Sequence, residues 1–135
     1  MELKNRDVIE IFNSLNTLAK ERLPIKLSWR IETSRRVLEP FYQTALTAVE
    51  QAKIRRAIKE SDGTFVLAKG PDGNPVPGTM MFPKEEVEDL NKEINSVLEE
   101  TVEVNNIAIK LSEFPDNLEV SAESIKGLDK VVKDE

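Results

Sequence analysis

The chain has no cysteine and no histidine. Without cysteine there is no disulfide, no thiolate nucleophile and no cysteine-ligated zinc site. Without histidine the usual general base near neutral pH is missing, and so is the commonest metal ligand. Aromatic residues are only 5% of 135, so Leu, Ile, Val and Ala must build most of the core. No apolar run approaches the ~20 residues needed to span a bilayer. The opening residues, Met1 to Asp7, are polar, and no basic stretch leads into a hydrophobic one. No secretory signal is therefore expected. The default location is the cytoplasm, with no membrane association.

What the chain has in quantity is charge. Charged residues are 33% and apolar residues 39%. That balance suits a single domain built on long amphipathic helices. The net charge is −6, but it is unevenly placed: residues 20–60 hold ten basic and five acidic side chains, and residues 61–135 hold seven and seventeen. Two readings follow. The acidic half packs beside the basic half and softens the field, or one charged face meets a partner of opposite sign.

The first helix should begin near Asn5 to Asp7, with either residue as its cap. Val8, Ile11, Phe12, Leu15, Leu18 and Ala19 follow helical spacing and form one buried stripe. Pro24 ends that helix near residue 22 and opens a second one. Leu27, Ile31, Leu38, Phe41, Ala45, Ala48 and Ala52 then repeat in steps of four and three, with Ser34 the one polar member. This is a heptad-like seam. A turn as short as the one at Pro24 favours an antiparallel helical hairpin. Val37, Leu46, Val49 and Ile54 form a second apolar set, so this helix has more than one neighbour. Pro40 predicts a kink, or a break with a separate helix, near Arg36 to Glu39.

Past Ser61 the character changes. Residues 64–68 and 79–82 have strand propensity, and the segment between them is rich in glycine and proline. The arrangement reads as a β-hairpin with a long tip. Pro83 starts a third helix with the stripe Val87, Leu90, Ile94, Val97 and Leu98. Its outer face, Glu86, Asp89, Glu93 and Glu100, is acidic. Residues 101–104 are rich in β-branched side chains, and 107–111 predict a short strand. Ser121 can cap a last short helix with Ile125, Leu128 and Val131 or Val132 facing inward, after which the tail from Lys133 should fray. The expected fold is mainly α (α+β), a single domain over 1–135. A helical hairpin of about 6–22 and 26–60 packs with a third helix of about 84–100. A hairpin excursion over 62–83 and a short C-terminal strand and helix close the rest.

Leu3-Lys4-Asn5, Phe12 to Leu15 and Leu23 to Ile31 resemble the opening of a family of small uncharacterised proteins encoded by bacteriophages and prophages. Val102 to Val104, Ile109 to Phe114 and Leu118 to Ser121 resemble the C-terminal ends of such proteins. The similarity covers the two ends, under half of the chain. It implies a viral origin and brings no catalytic residue.

Local constellations point the same way. Asp72-Gly73-Asn74 begins like a calcium loop, but Pro75 and Pro77 break the ligand spacing, which leaves turn chemistry. The carboxylates of the third helix read as a solvated face or an acidic docking surface. The basic residues from Arg30 to Lys59 lie in an acidic protein with few stacking groups, which argues against nucleic acid; internal salt bridges or an acidic partner fit better. Candidate protein-interface residues are Trp29 and Arg30, Met80, Met81 and Phe82, and Glu86, Asp89 and Glu93. No cofactor or metal is implied. The expectation is a non-catalytic, phage-encoded protein-binding module acting stoichiometrically on a host or viral protein. The alternative is a self-associating virion or assembly component.

Overall fold

A computed structural model describes residues 1–107, 109–110, 128 and 132–133. The described chain is mostly helical with a small antiparallel sheet, an α+β protein. It divides into two compact units, residues 1–45 with 98–135, and residues 46–97.

The first unit opens with a strand that hydropathy did not announce. β1 (Glu2–Lys4) pairs antiparallel with β2 (Thr101–Glu103), setting Leu3 opposite Val102. Leu3 is buried between exposed Glu2 and Lys4, a period of two too short to register as a strand in the sequence. The Met1 ammonium meets Glu103 at 2.6 Å and holds the strand's start. Asn5 N–H donates to the Glu100 carbonyl at 2.8 Å.

α1 (Asn5–Leu18) takes its cap one residue before Asn5 and three before Asp7, the two expected caps. Lys4 takes the cap position, and its N–H donates to the Asp7 carboxylate at 3.1 Å. Asp7 thus serves the cap from inside the first turn. The helix also ends four residues before the expected limit. Ala19 N–H reaches the Leu15 carbonyl, then Lys20 and Glu21 tighten to bonds three residues back. Residues 19–22 offer no apolar group larger than a methyl, and all are exposed, so burial gives the helix no reason to continue.

α2 (Ile25–Arg56) runs through Pro40 as one helix, so no separate helix begins there. It turns back on α1: Phe12 meets Tyr42 with ring centroids 4.2 Å apart, and Asn16 accepts from Arg35. Rising numbers on one helix meet falling numbers on the other, which makes the pair antiparallel. Between them lies the core: Val8, Ile11, Phe12, Leu15 and Leu18 against Leu27, Ile31 and Leu38, joined by Leu3, Val104, Ile107 and Leu128. Asn106 takes a left-handed φ of 67°, which asparagine tolerates. Of the expected strand over 107–111, Ile109–Lys110 forms β3, parallel to β4 (Val132–Lys133). Val132 and Lys133 are therefore strand residues, where an inward helical position and a frayed end were expected. The proposed last helix otherwise lies outside the described residues.

In the second unit α2 stops at Arg56. Ala57 N–H still reaches the Lys53 carbonyl, but Ile58 N–H turns to the Met81 carbonyl at 2.8 Å. The expected single hairpin does not form. Two tight turns replace it, bridged at Lys59 with Phe65 and at Lys69 with Pro75. Gly63 and Gly73 sit at φ of 90° and 82° and close the two turns. Asp62 and Asp72 each accept a backbone N–H two residues on, from Thr64 and Asn74, both at 3.0 Å. Residues 79–82 form no strand. Met81 instead completes a ring of three backbone bonds: Ile58 N–H to Met81, Met81 N–H to Val66, Val66 N–H to Ile58. Pro75 and Pro77 lack N–H groups and cannot extend either ladder. A 3₁₀ turn (Lys84–Glu86) follows, then α3 (Val87–Glu99). Of the predicted α3 stripe Leu90 is buried and Val87 is exposed.

Candidate protein interface

The first patch stands on the opening turns of α2. Pro24 fixes the chain there, and its carbonyl accepts the first helical bond, from Ser28 N–H at 2.9 Å. Leu27 and Ile31 point into the core, so positions two residues away face outward. Trp29 is 62% exposed, and Ile25, one turn earlier, is 88% exposed. The Arg30 guanidinium lies 5.8 Å from the Trp29 ring centroid, within cation–π range. Ile25 was not among the sequence candidates. Its signal was available: it precedes Trp29 by four residues and, like it, lies two off the seam.

The second group lies in residues 46–97. Met80, Met81 and Phe82 are half-buried, and Met81 is held by its backbone. The strand edge foreseen for them is absent. Glu86 and Glu93 are not part of a solvated acidic face. Glu93 pairs with Arg55 and, at 3.1 Å, with Arg56; Glu86 pairs with Arg56. These bonds, first from Glu86 and then from Glu93, raise the Arg56 pKa. The four charged side chains and Pro83 line an open recess of about 370 Å³. Opposite charges fill its walls, so it works as a clasp between the end of α2 and α3. Asp89 is exposed and makes no ion pair among the described residues. The structure therefore brings Trp29 and Arg30 together, and Glu86 with Glu93, while Asp89 joins neither group.

Elsewhere charge is also spent on structure. Glu99 binds Lys4 at 2.6 Å and Arg6 at 3.2 Å, which lowers its pKa, Lys4 being the larger cause. Glu32 holds Arg35 and Arg36, and its pKa falls mainly through Arg35. No helix of the described residues is long and apolar enough to cross a membrane. No family model, curated protein or solved structure matches the chain.

Proposed function

We propose that the chain is a non-catalytic protein-binding module that acts stoichiometrically, burying one exposed surface against a host or viral protein. The similarity of its ends to phage-encoded proteins makes a phage origin, and action in the host cytoplasm, part of the proposal. A host-defence protein is one partner of the right kind. The observation that carries the reading is the exposed pair Trp29 and Ile25. A wet tryptophan forgoes one of the largest burial gains any side chain offers. Tryptophan and arginine dominate binding hot spots, and here Arg30 lies against the Trp29 ring. The test is capture from host lysate at low salt by wild type and by Trp29→Ala. The expected result is a partner in near-equimolar amount that the variant loses. An empty capture at low salt refutes the module.

A second reading, self-association as a virion or assembly component, is favoured by the thin core of residues 46–97. Only Ala52 and Leu90 are buried hydrophobics there, while Val66, Leu67, Met80, Met81 and Phe82 stay half-exposed. Sedimentation at rising concentration separates the two: a clean monomer at high concentration removes the assembly role.

A further inference from the structure

We infer that the partner surface seated on Ile25 and Trp29 is acidic: a protein segment with an apolar anchor flanked by carboxylates. This rests on the protein-binding reading and gives it a chemistry.

The argument is a charge account of α2. Four of the ten cations of residues 20–60 are held in ion pairs within the fold. Arg35 and Arg36 share Glu32, and Arg55 and Arg56 are taken by Glu93 and Glu86. Arg22 and Lys26 are exposed and make no ion pair among the described residues. Residues 22–30 contain three cations and no carboxylate, and the first turn of α2 holds no acidic residue. A local positive field thus lies where the apolar pair is exposed.

The placement is ordered. Ile25 and Trp29 form one stripe, about 6 Å long, and Lys26 lies on the next, turned by about 100°. A short segment can lay its apolar side chain on Trp29 while a carboxylate meets Lys26. A short segment brings only a few carboxylates to a chain of net charge −6, whereas a second copy brings six net negative charges and nucleic acid one per phosphate, so long-range repulsion weighs least on the short segment. Nucleic acid also finds a single tryptophan to stack on.

The test pans the immobilised full chain against a random dodecapeptide library, then measures selected peptides by calorimetry. Circular dichroism confirms that each variant folds; all three side chains replaced are exposed. The expected peptides carry two or more Asp or Glu beside an aromatic or aliphatic residue. Trp29→Ala, and separately Arg22→Glu with Lys26→Glu, should each weaken them by roughly tenfold or more, and affinity should fall as salt rises. Peptides that need Trp29 but carry no acidic bias overturn the acidic assignment and leave the module intact. Peptides indifferent to Trp29→Ala overturn this surface and place binding elsewhere. If no peptide is selected, the acidic-segment proposal falls. The module falls with it only when lysate capture at low salt is also empty. If anionic phospholipid vesicles blue-shift Trp29 fluorescence while peptides do not, a lipid surface replaces the protein one.

Discussion

Replacing Ser34 by alanine should stabilise the protein. Ser34 lies in the seam of α2 between Ile31 and Leu38, is 1% exposed, and its hydroxyl has no hydrogen-bond partner among the described residues. A buried polar group left unsatisfied costs about 1–3 kcal/mol. Alanine removes that cost and adds up to about 0.5 kcal/mol of helix propensity. Against this stands the loss of one atom's dispersion contacts, about 0.1–0.2 kcal/mol each. The balance favours alanine by about 1–2 kcal/mol. For a chain of this length that is a rise of roughly 4–8 °C in Tm. Urea denaturation followed by far-UV circular dichroism reads it as a higher midpoint at unchanged slope. Thr33→Ala is the control. The Thr33 hydroxyl donates at 3.0 Å toward the Trp29 and Arg30 carbonyls, so its loss should change stability by no more than about 0.5 kcal/mol. An unchanged or lower midpoint for Ser34→Ala would show that the hydroxyl is satisfied in solution, and the idea of a dry seam would fail.

Phe12→Ala should cost about 3–5 kcal/mol, because the ring is buried and packed on Tyr42; a loss below 1 kcal/mol in the same urea assay would contradict the α1–α2 packing. Gly73→Ala meets no atom of the described residues within 4 Å, so its cost is the backbone's alone at φ of 82°, about 1–2 kcal/mol. Faster amide exchange confined to residues 68–76 is the expected readout. Glu99 has a depressed pKa in the folded protein, so the unfolded chain binds more protons between the two values. Its contribution is complete above the unfolded value of about 4.3 and is lost as pH falls through the folded one. Glu99→Gln should flatten the fall in stability between pH 5 and 3, and an identical acid limb would count against the Lys4 and Arg6 pairing. Amides of residues 58–82 should exchange faster than those of α1, since the former lie among half-exposed side chains; equal protection would contradict the thin core.

α1 and α2 were legible in the sequence because each buries a stripe whose period outlasts local noise. Every Leu and Ile of the seam from Leu27 to Leu38 is buried. Their ends were not legible, because they depend on distant partners. α2 stops where Ile58 finds Met81, and no local residue announces that. β1 escaped because three residues with one buried leucine carry almost no periodicity; only β2, a hundred residues on, makes them a strand. The hairpin failed for a different reason. Both glycine turns were visible, and the prediction used only the outer boundaries of the segment they divide. At the candidate interface the exposure of Trp29 follows from its place two residues off the seam. The pairing of Glu86 and Glu93 with Arg55 and Arg56 follows the bland reading of the charge asymmetry, with opposite signs neutralised inside the fold.

Pro40 shows how one local rule yields to its surroundings. A proline inside a helix removes one backbone bond and crowds the preceding turn, about 3 kcal/mol in an isolated helix. The carbonyl that loses its donor belongs to Arg36, which is exposed, as are Glu39 and Pro40. Water can therefore take the place of the missing N–H. The crowding also falls on the solvent side, where carbonyls already tilt outward and the helix can open without disturbing packing. The buried positions on either side, Leu38 and Ala45, hold the helix through the defect. The same proline two positions earlier, at Leu38, would strand a carbonyl in the core and break the seam. What decides between a kink and a break is thus the face on which the proline falls. That face could be read from the spacing of Leu38, Phe41 and Ala45 before any coordinates were known.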